Sequence, residues 1–471
     1  MLAIDPRRPF SLEDFKAVVS RPQTISLSPE SLRRVNKSFK LLNTVLARGN
    51  QVIYGIHTGV GVLQKTRVSS DWDSRQRNLV ASHACGVGEP LEPQEVRTII
   101  YLRSRELSRG FSAINPATLK AYAGLLRDKK LPRVPSQGSV GACGDLIPLS
   151  HIAQHLFAQI PDGALGPRDG LALINGTQAS LAVGLLSWVK ASRLIDYSLK
   201  TAALSLYAVE GKTEALDEGL VGLKKHPGSQ KVAAQISHSL GTYKNTGLPQ
   251  DPYSLRALPQ VVGAADEIHD YAGGLFAREA DSITDNPVFL GKAPNILHGA
   301  NFHGIHVALA SDLEAWALNI LGLMSERRVN VLLAGGRGLP AMLASQDGAS
   351  GLMMAHVTQA ACLAETKILA HPASADSIPT SANQEDVVPM AMGASLKLKK
   401  VLNNIAYVLT IEALCASRAI CLLKKEAKLK KQTQLRPFLE EIKSLAGDTL
   451  ISENGSYSKS IARIAERFLT I

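Results

Sequence analysis

Long proline-free stretches rich in alanine and leucine constrain the fold of this 471-residue chain more than any other feature. They cover residues 176–209, 303–334, 350–370 and 390–430. Apolar residues recur in them at helical spacing, and each is several times longer than a typical strand. Hydrophobic residues make up 45% of the chain and aromatic residues only 5%, which suits packed helices better than sheets. The sequence therefore predicts a mainly α protein with a bundle of long antiparallel helices.

Two shorter helices are predicted nearer the N-terminus from their end signals. Residues 28–48 carry apolar residues at helical spacing, with Ser28 as the N-cap, Pro29 in the first turn and Gly49 as the stop. The segment Pro93–Arg109 repeats this plan and is also followed by a glycine.

Strand signals are short and few. Residues 51–54 and 170–174 are apolar runs of strand length. We therefore expect a smaller mixed N-terminal region over residues 1–195 and a long-helix bundle domain over residues 196–471.

The net charge of +11 raises the question of a nucleic-acid partner. Lysines cluster towards the C-terminus, at Lys397, Lys399, Lys400, Lys424, Lys425, Lys428, Lys430 and Lys431. No aromatic residues interleave with them as stacking platforms for bases, so we interpret the cluster as solvated helix faces and expect no nucleic-acid partner.

The cysteine count and the N-terminus bear on the compartment. The five cysteines are an odd number and form no CxxC pair, as in a reduced, cytoplasmic protein. The N-terminal residues lack an apolar export core, and no uncharged apolar run reaches the length that spans a membrane. The sequence predicts a soluble cytoplasmic protein with no membrane partner.

The tripeptide Ala142-Cys143-Gly144 can make an electrophile from backbone alone. Glycine lets the Gly144 nitrogen fold back onto the Ala142 carbonyl carbon, and elimination across Cys143 then leaves an exocyclic methylidene on a five-membered ring. Spacing alone leaves a structural turn or an anion-binding nest open as alternatives. Asp145 follows the last glycine and would repel an anion, which disfavours a phosphate loop.

Other glycine-, asparagine- and histidine-rich runs lie between the predicted helices, where functional groups often gather. They are Tyr54-Gly55-Ile56-His57-Thr58-Gly59-Val60-Gly61, Ser82-His83-Ala84-Cys85-Gly86-Val87-Gly88, Asn175-Gly176-Thr177-Gln178, Gln250-Asp251-Pro252-Tyr253-Ser254-Leu255-Arg256, Asn301-Phe302-His303 and the segment 371–386, which contains Gln384-Glu385-Asp386. Taken singly, a tyrosine, a histidine or an Asn-Gly pair in such runs is more often structural than functional.

Taken together with the tripeptide, these runs resemble the histidine and aromatic amino acid ammonia-lyases, in chain order over about residues 28 to 420. The family usually has Ala-Ser-Gly where this chain has Ala142-Cys143-Gly144. Other departures are His57 for Asn, Val60 for Phe, Ala300 for Gly and Val387 for His.

The resemblance implies a covalent mechanism without an external cofactor. Ala142, Cys143 and Gly144 would form a 4-methylidene-imidazol-5-one group that takes the substrate amine. Tyr54, helped by Tyr253, would move the β-proton. A free phenol titrates near ~10, so Tyr54 would need a lowered pKa or a concerted proton network.

Substrate-binding roles also follow from the resemblance. Arg256 would grip the substrate carboxylate with its planar fork, and Gln250 would hold the same loop. Asn175 and the Gly176 amide would support the ring and the bound amine, and Phe302 would line the pocket.

His83 and Glu385 would select the substrate ring. A carboxylate suits an imidazole, which can be cationic. The resemblance therefore implies L-histidine as the substrate and trans-urocanate as the product. The alternatives are a tyrosine ammonia-lyase or tyrosine aminomutase, and a non-catalytic homologue in which Cys143 does not cyclise.

Assembly and metal content complete the expectations. The resemblance implies a homotetramer whose active sites are shared between subunits. The histidine pairs His303/His306 and His151/His155 have metal-like spacing but no evident third ligand, so no metal is expected.

Overall fold

The computed structural model describes residues 2–49, 51–68, 71–290, 295–432, 434–452 and 456–470. The side chains of Lys430 and Lys431, two members of the predicted lysine cluster, lie outside the described part. Helices make up most of what is described, so the predicted mainly α fold is confirmed. The α-helices run over Leu12–Ser20, Pro29–Arg48, Trp72–His83, Pro93–Leu107, Pro116–Gly124, Leu146–Phe157, Asp169–Ile174, Gln178–Ala208, Glu218–Gly222, Pro227–Leu240, Tyr253–Arg256, Leu258–Ala280, Ile305–Leu333, Met353–Leu369, Ala391–Leu422, Glu426–Gln432, Arg436–Ala446 and Tyr457–Leu469.

The helix predicted over residues 28–48 is confirmed with its end signals. It spans Pro29–Arg48, and the Ser28 Oγ accepts a hydrogen bond from the Ser31 amide at 3.1 Å. Gly49 ends the helix in the left-handed region, at φ 63°. The helix predicted from Pro93 ends at Leu107, two residues earlier than expected.

The long stretches form helices within a few residues of their predicted bounds, except the last. The stretch 390–430 divides into Ala391–Leu422 and Glu426–Gln432. Lys424 adopts a left-handed φ of 53°, and the Lys425 amide then donates to the Ile420 carbonyl at 3.1 Å. A hydrogen bond from an amide to the carbonyl five residues earlier is typical of a helix end. The lysines at this point do not predict a helix end from the sequence.

Both predicted strands are wrong. Residues 51–54 are irregular and enter a turn, and residues 170–174 belong to the helix Asp169–Ile174. That helix is buried over its whole length, so it shows no polar face. A short apolar run that is buried on all sides reads the same in a strand as in a helix.

The strands that the structure describes form short two-stranded pairs. Leu2–Ile4 pairs in parallel with Ile25–Leu27, and Val87–Pro90 pairs antiparallel with Pro135–Gln137. The hairpin Val288–Leu290 with Asn295–Leu297 is also antiparallel.

The described chain divides into two compact units whose segments alternate along the sequence. Unit 1 comprises residues 1–186, 273–312 and 372–396, and unit 2 comprises residues 187–272, 313–371 and 397–471. The domain division at residue 195 stays a prediction.

A hydrophobic cluster in unit 1 supports the site described below. It joins the helix Pro29–Arg48, the start of the loop at residue 53 and the hairpin Val288–Leu290/Asn295–Leu297. Its buried members are Leu42, Val45, Ile53, Ile56, Ala113, Phe289 and Ile296.

Three described helical segments are long and apolar enough to cross a membrane by length and composition alone, which the sequence analysis did not expect. They are Asp169–Ala208, Ile305–Leu333 and Ala391–Leu422, and 100%, 67% and 83% of their apolar windows are buried inside the protein. Burial of this extent accounts for their composition as core helices.

Candidate active site

A cavity of about 750 Å³ in unit 1 brings together several residues that the sequence singled out. Tyr54, Ala142, Cys143, Phe302 and Glu385 all line it. They come from four separate loops of the chain, so the fold and not local sequence gathers them. Such a concave site with a few convergent polar groups is the usual form of a small-molecule site.

The Ala142-Cys143-Gly144 turn is tight, and its last position requires glycine. Gly144 has a φ of 70°, and a Cβ there would lie 2.6 Å from the Gly176 carbonyl oxygen. Backbone bridges join Gly144 to Gly141 and to Ala142, so the chain already folds back on itself across Cys143. This is the backbone shape that attack by the Gly144 nitrogen requires.

Asp145 anchors the turn to the start of the helix Gln178–Ala208. Its amide donates to the Gly176 carbonyl at 2.7 Å. Its buried carboxylate accepts hydrogen bonds from the Ser139 hydroxyl at 2.7 Å and from the Ser180 amide and hydroxyl at 2.7 and 2.8 Å. These hydrogen bonds give the Asp145 carboxylate a structural role. They hold the turn in place, and Ala142 and Cys143 of the turn line the cavity.

Asn175 supports the turn by a hydrogen bond to its backbone. Its Nδ2 donates to the Cys143 carbonyl oxygen at 3.0 Å, and its Oδ1 is buried without a hydrogen-bond partner among the described residues. In a ring closed between Ala142 and Gly144, the Cys143 carbonyl would be the ring carbonyl, so Asn175 already points a donor at the oxygen that would gather charge. The turn, its glycine and this donor fit the prosthetic group.

Cys143 and Glu385 are in direct contact. The thiol donates to the Glu385 Oε1 at 2.8 Å, and the Thr380 hydroxyl donates to the other carboxylate oxygen. Burial, together with the Glu385 carboxylate, raises the pKa of the Cys143 thiol to about 12. The thiol therefore stays protonated at neutral pH, and loss of its sulfur would free the Glu385 oxygen for another donor.

An unusual backbone segment presents Glu385 to the cavity. Ser381, Ala382 and Asn383 adopt left-handed φ angles of 52°, 52° and 64°, and an isolated bridge joins Thr380 to Glu385. Such conformations are costly for residues other than glycine and concentrate at functional sites. The segment is therefore built to turn the carboxylate back towards the tripeptide.

Tyr54 lies on a loop that is fixed by apolar anchors on either side. Ile53 and Ile56 are fully buried, and the His57 Nδ1 accepts a hydrogen bond from the Ile53 amide at 3.0 Å. The Tyr54 hydroxyl accepts from the Gly61 amide at 2.8 Å. Burial raises the pKa of Tyr54 above its ordinary value, the amide lowers it, and the Cys143 and Glu385 groups raise it.

His298 is a cavity residue that the sequence analysis missed. It follows the strand Asn295–Leu297 and lies edge-on to the Tyr54 ring, with centroids 6.1 Å apart and an interplanar angle of 89°. Its position four residues before Phe302, at the end of a short strand, is the sequence signal that could have indicated it.

His83 does not line the cavity among the described residues. Its Nδ1 contacts the Leu79 carbonyl at 2.8 Å and the Ser82 hydroxyl at 3.1 Å. Ser82 is the preceding residue, and Leu79 lies one helical turn earlier. The His83 ring is therefore held by groups of its own helix. Its proposed part in selecting the substrate stays a prediction.

Gln250, Tyr253 and Arg256 form a group of their own in unit 2. The Arg256 guanidinium donates to the Gln250 side-chain oxygen and lies 4.7 Å from the Tyr253 ring centroid. Tyr253 is 71% exposed, and the Arg256 Nε is buried without a partner among the described residues.

One partly exposed and one buried ion pair hold this loop in place. Asp251 accepts from the Arg337 guanidinium at 2.9 Å. Arg328 donates to the Ser254 carbonyl at 3.4 Å and pairs with the buried Glu412 at 2.5 and 2.8 Å. Breaking the buried pair of Arg328 and Glu412 would leave an uncompensated charge, so this pair is a costly part of the loop's support to lose.

No group of three or more metal-ligating side chains occurs within the described ranges. One histidine of each pair that suggested metal spacing has another partner. His303 Nε2 contacts the Val387 carbonyl at 3.1 Å, and His151 Nε2 accepts from the Gly86 amide at 3.1 Å. The absence of a metal stays a prediction.

A helical scaffold that places an Ala-Cys-Gly turn, a phenol and a carboxylate in one cavity has the site of an amino acid lyase. The chain belongs to the aromatic amino acid lyase family, whose sequence pattern matches residues 10–161 and 157–444. It is 40% identical over 438 residues to a histidine ammonia-lyase of Myxococcus xanthus, covering 87% of this chain and 86% of the relative.

Solved structures agree with this assignment. A histidine ammonia-lyase from Trypanosoma cruzi superimposes with a TM-score of 0.89 at 30% identity, covering 99% of this chain and 93% of that one. A tyrosine aminomutase from Streptomyces globisporus superimposes with a TM-score of 0.91 at 28% identity, with coverage of 99% and 96%.

Proposed function

We propose that this protein is a histidine ammonia-lyase, which eliminates ammonia from L-histidine to give trans-urocanate. The observation that carries the proposal is that the Glu385 carboxylate lines the same cavity as Tyr54 and the Ala142-Cys143-Gly144 turn. A carboxylate is a fitting partner for an imidazole ring. The similarity to histidine ammonia-lyases supports the choice of substrate.

A 4-methylidene-imidazol-5-one group formed from Ala142, Cys143 and Gly144 supplies, when present, the electrophile that accepts the substrate amine. The chain's own residues do the rest. Asn175 stabilises negative charge on the Cys143 carbonyl oxygen, to which it already donates at 3.0 Å. Glu385 pairs with the substrate imidazole, and Phe302 packs on the cavity wall.

Tyr54 acts as the base. Its phenolate oxygen removes the β-proton of the substrate, the C–H electron pair becomes the new C=C bond, and the Cα–N bond breaks with its electron pair on the departing nitrogen. The proton on Tyr54 then passes to that nitrogen, which leaves as ammonia. The Gly61 amide, which donates to the Tyr54 oxygen, stabilises the ionised form that this step uses.

Gln250, Tyr253 and Arg256 have the remaining roles in this proposal. The Arg256 guanidinium holds the carboxylate, because its planar fork matches two oxygens. Gln250 orients the guanidinium through the hydrogen bond between them, and Tyr253 assists the proton transfer. His83 contributes to the choice of ring.

We further propose a cytoplasmic homotetramer with shared active sites. Exposed apolar side chains of unit 2 support an assembly that covers them, because such surface is an aggregation liability in a monomer. Leu223, Leu248, Met354 and Ile368 are 60% to 82% exposed.

The proposal is tested by offering the protein histidine, tyrosine and phenylalanine separately and following the conjugated acrylate product of each. We expect histidine to be preferred by at least about tenfold, because buried polar groups that match one ring are left unpaired around another. A preference for tyrosine, or a β-amino acid product, would instead identify a tyrosine ammonia-lyase or aminomutase.

Intact mass tests the prosthetic group separately. Ring closure removes one water, which carries the Ala142 carbonyl oxygen and the amide hydrogens of Cys143 and Gly144. Elimination removes one hydrogen sulfide, which carries the sulfur, the thiol hydrogen and the Cα hydrogen of Cys143. A chain of full encoded mass with a titratable Cys143 thiol would instead identify a non-catalytic homologue.

A further inference from the structure

The two oxygens of the Glu385 carboxylate have separate hydrogen-bond partners. Oε1 accepts from the Cys143 thiol at 2.8 Å, and Oε2 accepts from the Thr380 hydroxyl. Because both oxygens of a carboxylate are acceptors, a donor that stays on Oε2 leaves Oε1 for a second donor. Loss of the Cys143 sulfur would remove the donor on Oε1 and leave the Thr380 hydroxyl on Oε2.

The backbone holds Thr380 beside Glu385. The Thr380 amide donates to the Glu385 carbonyl at 3.1 Å, and the Glu385 amide donates to the Thr380 carbonyl at 3.3 Å. Thr380 itself is extended, with φ −127° and ψ 179°, a conformation that suits a β-branched side chain. The three left-handed residues between Thr380 and Glu385 reverse the chain and bring the two side chains to the same place.

The Thr380 hydroxyl bonds to the Glu385 side chain and not to the backbone of the segment. Two backbone hydrogen bonds already join the two residues, so the hydroxyl adds a constraint on the rotation of the carboxylate. Ser377 in the same segment is different, because its hydroxyl accepts from the Val388 amide at 2.9 Å and so holds backbone. The two hydroxyls therefore separate orientation of Glu385 from support of the segment.

We propose that Thr380 is a positioning residue for Glu385: its hydroxyl holds Oε2 and thereby presents Oε1 to the imidazole of the substrate. The inference rests on the proposed function, in which Glu385 pairs with the ring of L-histidine. An imidazole carries an N–H donor whether it is neutral or protonated, so the role requires no particular charge on the ring. A phenyl ring has no such donor, so the orientation of Glu385 by Thr380 favours an imidazole over a phenyl ring.

The experiment compares two acrylates that differ in their ring. Titration calorimetry of the whole protein gives the dissociation constants of trans-urocanate, which has an imidazole, and of cinnamate, which has a phenyl ring. Thr380→Val keeps the size and branching of the side chain and removes the hydroxyl, whereas Thr380→Ser keeps the hydroxyl. Ser377→Ala is the matched control, because it removes a hydroxyl that holds the same segment by its backbone. Thr380→Val is also measured in a Glu385→Ala background.

We expect Thr380→Val to weaken urocanate binding by about three- to tenfold, the scale for loss of one hydrogen bond, and to leave cinnamate binding unchanged. Thr380→Ser should bind both ligands as the wild type does. Ser377→Ala should change both ligands alike or neither. In the Glu385→Ala background Thr380→Val should have no further effect, because no carboxylate remains to be oriented. A merely structural role of Thr380 would produce neither the ring selectivity nor this dependence on Glu385.

Unchanged urocanate binding in Thr380→Val would overturn the inference, and so would an equal loss for both ligands or an equal loss with and without Glu385. Release of ammonia from histidine by the wild type tests the proposed function separately. A protein that releases ammonia and binds urocanate independently of Thr380 would keep the function and lose the inference. Urocanate binding that depends on both Thr380 and Glu385, in a protein that releases no ammonia, would do the reverse.

Discussion

Tyr54 combines a half-buried ring with a proposed role that requires ionisation. Its oxygen accepts a hydrogen bond from the Gly61 amide, while burial and the Glu385 carboxylate raise its pKa. Its place in the cavity beside the Ala142-Cys143-Gly144 turn, and not its pKa, is therefore what makes Tyr54 a candidate for the base.

Replacing Tyr54 with phenylalanine keeps the ring and removes the proton-transfer group. Turnover on histidine should fall by about two to four orders of magnitude, the usual scale for loss of a general base. Substrate binding should change little, because the aromatic surface remains. Unchanged turnover in steady-state assays would move the role to Tyr253 or to a water molecule.

Glu385→Gln keeps the shape of the side chain and removes its charge. If the carboxylate pairs with the substrate imidazole in this partly buried cavity, losing one member costs about 2–5 kcal/mol. Activity on histidine should fall by about 30- to 5,000-fold, which is the same free energy expressed as a rate.

Asp386→Asn is the matched control for Glu385→Gln, because Asp386 is a second carboxylate of the same cavity. An equal fall in the two variants would mean that cavity charge, and not pairing with Glu385, supports activity. Intact mass of each variant separates a defect in binding from a defect in formation of the prosthetic group.

Sequence reasoning reached these residues one at a time and missed their contacts. The tripeptide chemistry could be argued from Ala142, Cys143 and Gly144 alone. The hydrogen bond between Cys143 and Glu385, however, joins residues 242 positions apart. His298 carried no motif of its own, since its place depends on a cluster of buried residues from three elements.

At the scale of secondary structure, the ends of helices matter more to the site than their middles. The tripeptide turn is tied to the start of Gln178–Ala208 through Asp145, and Thr177 just before that helix donates to the Glu279 carboxylate at 2.7 Å. Glu279 lies in the last turn of Leu258–Ala280. Burial raises the pKa of Glu279 to about 7, with smaller contributions from Glu106 and Asp145.

The raised pKa of Glu279 predicts a stability that falls as pH rises. Below pH about 4.5 Glu279 is protonated in both the folded and the unfolded chain, so it does not change the free energy of unfolding. Between about 4.5 and 7 the unfolded chain releases the proton while the folded chain keeps it, so the free energy of unfolding falls. Above pH about 7 the loss in the free energy of unfolding is complete, at up to about 3 kcal/mol.

Glu279→Gln should therefore raise the melting temperature at pH about 8 more than at pH about 5. The variant keeps an acceptor for the Thr177 hydroxyl and removes the ionisation. Thermal unfolding of both proteins at the two values of pH measures the difference. Equal shifts at both would show that Glu279 does not titrate in this range.

The long helices were predictable from sequence and the short elements were not. Ala/Leu periodicity over tens of residues defined Gln178–Ala208 and Ile305–Leu333 to within two residues. The buried helix Asp169–Ile174 was mistaken for a strand, because its apolar residues face the protein on every side. Lys424 and Ser381 adopt left-handed conformations, which their residue types do not predict.

At the scale of the whole molecule, the residues with proposed roles in catalysis are divided between the two compact units. Tyr54 and Glu385 belong to unit 1, whereas Gln250, Tyr253 and Arg256 belong to unit 2. The proposed homotetramer with shared sites gives a reason for this division, since symmetric assembly can bring loops of different subunits together.

Mixed tetramers test that arrangement directly. Tyr54→Phe and Arg256→Ala should each be nearly inactive, because one lacks the base and the other lacks the carboxylate fork. If a site takes Tyr54 from one subunit and Arg256 from another, co-expression of the two variants should restore up to about a quarter of wild-type activity, the share of sites with both residues intact under random assembly. Co-expression of Tyr54→Phe with Glu385→Gln is the control. Both residues line one cavity of one chain, so every chain in that mixture carries a defective cavity and activity should stay low. Restoration in the first mixture, measured as histidine turnover per tetramer, would establish shared sites. Equally low activity in both mixtures would place Tyr54 and Arg256 of each site in the same subunit.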